Sequence, residues 1–245
     1  MTTTILTEAA FLAIVPAGIL LYVILDRYAA PRVPVSLFNE RTLLIAFVVG
    51  IPGGLPLAVL FLIYAGSLQQ FDLASAIAYL FFFVAVAALS RTIFHRFRIF
   101  GGKTGRLRTG PFYALSFGCG IAVTIVLATA DSSIPGTPPL YALGAFLLLS
   151  FVVATVEAWA GIRFARRDAP SYRWILIAGV ETLMLFALAP LYLGVQYLQF
   201  VTLLGMLALG VYLLWREDRL VLRKLMQRTA GKESPESAYR RTDVD

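Results

Sequence analysis

Long, unbroken apolar runs separated by short polar or Gly/Pro-rich stretches dominate the chain. A bilayer core about 30 Å thick takes about 20 mainly apolar residues per helix. At that window seven spans stand out: Ile5–Leu25, Thr42–Tyr64, Leu73–Phe94, Phe112–Ala130, Leu140–Ile162, Trp174–Leu193 and Tyr197–Trp215. The runs do not alternate apolar with polar residues, which argues against a transmembrane β-barrel. The pattern predicts an all-α, polytopic membrane protein. A seven-helix bundle with short loops occupies 1–228, and a polar, disordered tail occupies 229–245.

Composition sharpens this picture. Of 245 residues, 59% are apolar and only 14% charged, and the mean hydropathy is +0.80. That is too little charge to cover a soluble domain of this size. A single cysteine, Cys119, excludes a disulfide scaffold. The net charge of +7 is explained by where the charges sit. All 21 basic residues fall in four clusters, Arg27–Arg41, Arg91–Arg108, Arg163–Arg173 and Arg216–Arg241. Those clusters occupy alternate connections and the C-terminal tail. Positive-inside bias therefore predicts an N-terminus outside, a C-terminus in the cytoplasm and a multi-pass protein of the cell membrane. The basic tail is expected to rest on anionic headgroups, and nucleic acid is not an expected partner.

Ionisable residues inside spans are costly and mark cavities or partners. Glu157 in the fifth span and Glu181 in the sixth fall at matching depth, roughly 8–11 Å from the cytoplasmic end at 1.5 Å per residue. Arg91 and His95 end the third span, and Ser116 and Cys119 lie in the first turns of the fourth. These six residues are expected to form one polar cavity in the inner half of the bundle. Two carboxylates meeting in a poor dielectric would share a proton unless Arg91 reached them. Such a cluster is read first as a hydrogen-bonded network that fixes helix register, then as a binding or proton-responsive cavity, and last as a catalytic pair.

Two further features carry weight. Pro52 and Pro56, within Gly50-Ile51-Pro52-Gly53-Gly54-Leu55-Pro56, remove backbone donors and predict a kinked second span. Ala114, Gly118 and Ala122 make a small-residue stripe that lets another backbone approach, inside the bundle or on another subunit. Several membrane chemistries are excluded. No lysine lies within a span to hold retinal, no pair of aspartates lies within the spans, and one histidine cannot form His-Glu-x-x-His. No metal site and no cofactor are expected.

Leu115-Ser116-Phe117-Gly118, Ala130-Asp131 followed by Pro135-Gly136, Gly161-Ile162-Arg163-Phe164 and Gly179-Val180-Glu181 occur in this order. The series resembles the anterior-pharynx-defective family, the seven-helix scaffold subunit of γ-secretase. That family has Leu-Ser-Phe-Gly, Ala-Asp…Gly-Pro-Gly, Gly-x-x-Phe and Gly-x-His at these places. The resemblance covers about half of the chain. It departs where the family has a histidine in each of the fifth and sixth helices, since the equivalent positions here are Glu157 and Glu181. The family's acidic residue of the third helix is replaced near Ser90-Arg91. Such families also resemble the CAAX-protease and bacteriocin-processing membrane enzymes, whose Glu-Glu pair and two histidines are absent from this chain.

The resemblance implies a non-catalytic scaffold or stabilising partner of another integral membrane protein, with the Ala114–Ala122 stripe as the contact. An intramembrane hydrolase using Glu157 or Glu181 as general base is the alternative. A small-molecule or proton-coupled transporter built on the kinked second span is a weaker one.

Overall fold

The computed structural model describes residues 3–28, 38–67, 77–78, 81–82, 85, 110–131, 139–164, 176–180, 183–184 and 196–223. Among these residues the chain is helical, apart from the Phe38–Asn39 link and the turn at Gly54. The helices are α1 (Thr3–Leu25), prolonged by a 3-10 turn at Asp26–Tyr28, α2 (Glu40–Gly53), α3 (Leu55–Ser67), α4 (Gly110–Asp131), α5 (Pro139–Phe164) and α6 (Gln196–Glu217). A π turn, Asp218–Leu222, continues α6. Five helical stretches are long and apolar enough to cross a membrane: Ala10–Tyr28, Glu40–Leu60, Gly110–Thr129, Gly144–Arg163 and Phe200–Leu222. The third and sixth predicted spans fall mostly outside the described residues.

The second predicted span is two helices. Asn39, in extended conformation, caps α2 by accepting the Arg41 N–H at 2.9 Å, and Glu40 places an acid on the positive end of the helix. Pro52 and Pro56 then withhold two donors from the ladder. The break falls between them, at Gly54, whose N–H donates to the carbonyls of Gly50 (3.0 Å) and Ile51 (3.2 Å). Thr124 in α4 adds a donor to the Ile51 carbonyl at 2.5 Å. The kink is thus satisfied by a neighbouring helix, and its carbonyls are taken up by packing.

α4 is the axis of the bundle, buried continuously from residue 110 to 126. Glycine makes this possible on two flanks. Gly120 lies against the Phe47 carbonyl and Gly50 of α2, while Gly118 lies against the Glu157 carbonyl of α5. A Cβ at any of Gly50, Gly118 or Gly120 would collide with backbone. Around this axis α1 buries one side, including Ala13, Ala17, Ile24 and Tyr28, and exposes Phe11, Ile14, Tyr22 and Val23. The outer faces of α2, α3 and α6 are likewise apolar, with Leu44, Ile63 and Val201 exposed.

The contacts also fix helix directions. α2 and α4 run parallel, since Asn39, Leu43 and Ile51 meet Tyr113, Ser116 and Thr124 in order. α4 and α5 are antiparallel, because Gly118 meets Glu157 while Ala114 meets Gly161. α5 and α6 are parallel, with Gly144 near Phe200, Thr155 against Gly210 and Arg163 paired with Glu217. One end of the bundle therefore gathers the end of α1, the starts of α2 and α4, and the ends of α5 and α6.

Candidate functional site

Glu157 sits in the stretch 152–163 of α5 that is buried throughout. It is 1% exposed, and its Oε1 has no hydrogen-bond partner among the described residues. Its backbone carbonyl is covered by Gly118. Cys119, fully buried, follows Gly118 on α4. Glu157 and Cys119 are thus both buried in the region where α4 crosses α5. Arg91, His95 and Glu181 lie outside the described residues.

Ser116 is turned elsewhere. Its Oγ donates to the Leu43 carbonyl at 2.7 Å, toward α2. Two helical positions are about 200° apart, so a residue two before Gly118 faces away from α5. Ser116 is an interhelix tie and not a member of a cavity with Glu157. The small-residue stripe is covered within the chain: Ala114 and Ala122 are 0% and 2% exposed, and Gly161 of α5 sits directly on the Ala114 carbonyl. The stripe is occupied inside the bundle and does not present a face to a second subunit.

A second polar cluster, not anticipated as a site, closes the end of the bundle. Arg163, in the last turn of α5, donates from Nε to Glu217 Oε1 at 2.9 Å, with a second nitrogen 2.7 Å from the same oxygen. Both side chains are buried, and the guanidinium carbon stands 4.9 Å from the centre of the Trp159 ring. The adjacent Asp218 serves a different helix. Its Oδ1 accepts the Tyr28 hydroxyl at 2.5 Å, while Arg27 and Arg223 approach Oδ2 at 3.8 and 3.5 Å. Tyr28 packs edge-on against Phe112, in the first turn of α4, at 5.3 Å between ring centres.

Two consecutive acids thus point inward and bind α6 to α5 and to α1. The π turn at Asp218–Leu222 occurs at this point, closed by the Arg223 N–H on the Asp218 carbonyl. In the sequence, Arg163 counts only among the basic clusters, and Glu217 and Asp218 lie where an apolar run meets the basic tail. The signal that could have exposed them is a pair of acids terminating an apolar run amid basic residues. No protein-family model, curated protein or solved structure matches the chain.

Proposed function

We propose that the chain is a seven-span protein of the cell membrane, N-terminus outside and C-terminus cytoplasmic, that works without catalysis. In this reading it is a scaffold or stabilising partner of another integral membrane protein. Helix directions support seven crossings. Parallel α2 and α4, and parallel α5 and α6, agree with one further crossing between the members of each pair. Gathering Arg27, Arg41, Arg163 and Arg216 at one end agrees with a cytoplasmic face there.

The observation that carries the non-catalytic reading is the burial of Glu157 in the continuously buried stretch of α5. A general base must reach substrate or water within hydrogen-bond distance. Here the acid stands at a close-packed crossing, 1% exposed. Ser116 and Thr124 of α4 are turned to α2 as helix ties and bring no polar group to the acid. The resemblance to the γ-secretase scaffold family supports the same reading.

Extraction from native membranes in mild detergent, with light scattering to give the protein mass, tests the proposal. A complex holding a second integral membrane protein in fixed stoichiometry, unchanged by Glu157→Gln, is expected. Recovery of a stable lone monomer would contradict it. The hydrolase alternative is favoured by the unpartnered Oε1 of Glu157. It requires cleavage of a co-expressed membrane polypeptide that Glu157→Gln abolishes.

A further inference from the structure

The charged end of α6 separates its charges by face. Glu217 and Asp218 are 1% and 5% exposed, whereas Arg216, Arg219 and Arg223 face outward. These two acids at the end of α6 are therefore withdrawn from this surface. Arg27 and Arg223, carried by different helices, converge on the single buried oxygen Oδ2 of Asp218. Their side chains are 52% and 47% exposed, so each guanidinium has outward donors left over. One carboxylate cannot neutralise two guanidiniums, and a net positive charge remains. Arg219 lies over the Trp215 ring, with its guanidinium carbon 4.0 Å from the ring centre.

We infer that Arg27, Arg219 and Arg223 form a binding site for the phosphate of an anionic phospholipid headgroup. The inference rests on the membrane-spanning reading but not on the scaffold role. Guanidinium forks match phosphate oxygens in a bidentate geometry; Asp218 draws Arg27 and Arg223 to one place without hydrogen-bonding either, and Trp215 supports Arg219. Tyr212 and Trp215, half exposed and 6.4 Å apart between ring centres, stand on the same outer face. Such aromatic side chains settle where hydrocarbon meets headgroup. The acyl chains would then lie along the exposed apolar flank of α6.

Native mass spectrometry of the full chain in detergent, with phosphatidylglycerol, phosphatidylcholine and inorganic phosphate as probes, tests the site. Phosphatidylglycerol is expected to be retained in preference to phosphatidylcholine, and inorganic phosphate is expected not to displace it. At about fivefold per guanidinium near a charged surface, Arg219→Gln weakens phosphatidylglycerol about fivefold. On the same basis Arg27→Gln with Arg223→Gln weakens it about twenty-five-fold, with helicity by circular dichroism confirming the fold. Should the double variant fail to fold, Arg219→Gln decides, because its side chain rests on the surface. Equal retention of both lipids, or no loss on Arg219→Gln, overturns the site. Displacement by inorganic phosphate at the lipid's own concentration assigns it to a free anion and overturns the lipid. A chain that stayed soluble without detergent and held neither lipid would instead defeat the membrane reading.

Discussion

Arg163 and Glu217 are 54 residues apart in the chain and form a buried ion pair at 2.7 Å that locks the end of α5 to the end of α6. Removing one partner of such a pair strands a buried charge, at a cost of about 3–5 kcal/mol, while replacing both with apolar residues is often neutral. Arg163→Ala is therefore expected to lower the unfolding midpoint sharply. Arg163→Met combined with Glu217→Leu is expected to recover most of the loss. Thermal unfolding in detergent with a double-mutant cycle measures the coupling, and additive single effects would show that the pair contributes nothing.

Gly118 and Gly50 hold α4 against α5 and α2. Alanine at either position meets a backbone carbonyl, and overpacking of this kind costs about 1–3 kcal/mol. Gly205 on α6 has open space around it, so Gly205→Ala should leave stability unchanged or slightly raise it, because alanine is the better helix former. Comparison of the three variants by thermal unfolding separates the effect of contact from that of helix propensity.

Thr124 donates to the carbonyl of Ile51 next to the break at Gly54. Interhelix hydrogen bonds within membranes are worth about 0.6 kcal/mol on average and up to about 1.7. Thr124→Val is expected to cost about that much and Thr124→Ser to restore it. A loss equally large in Thr124→Ser would show that the methyl group, not the hydroxyl, supports the kink.

Glu157 presents a different sign. A buried carboxyl oxygen without a donor costs about 1–3 kcal/mol, so Glu157→Met is expected to raise the unfolding midpoint. The scaffold reading further predicts that this variant keeps its membrane partner. A fall in the midpoint would mean that the carboxyl is paired and stabilising.

How much of this was visible beforehand follows from physical range. The helices α1, α4, α5 and α6 are each a continuous apolar run of membrane length, and length and hydropathy are local properties. The break in the second span was legible in Pro52 and Pro56, which act on their own backbone. The small stripe at Ala114, Gly118 and Ala122 announced a close approach, but its counterpart Gly161 is defined only once α4 and α5 pack. Expecting Ser116 beside Glu157 overlooked their placement on opposite flanks of α4. Arg163, Glu217 and Asp218 were least legible. A charge at the end of a span looks solvated until an opposite charge from a distant helix is placed beside it.

The sorting of helix ends onto two faces is tested most directly by labelling single introduced cysteines with a membrane-impermeant maleimide in sealed vesicles of known orientation. Cys119 is fully buried and gives a quiet background. Cysteines at positions 39 and 216 should label only from the cytoplasmic side, and cysteines at 3, 67, 131, 139 and 196 only from the outside. A position from either set labelled on the other set's side would contradict the seven-crossing topology.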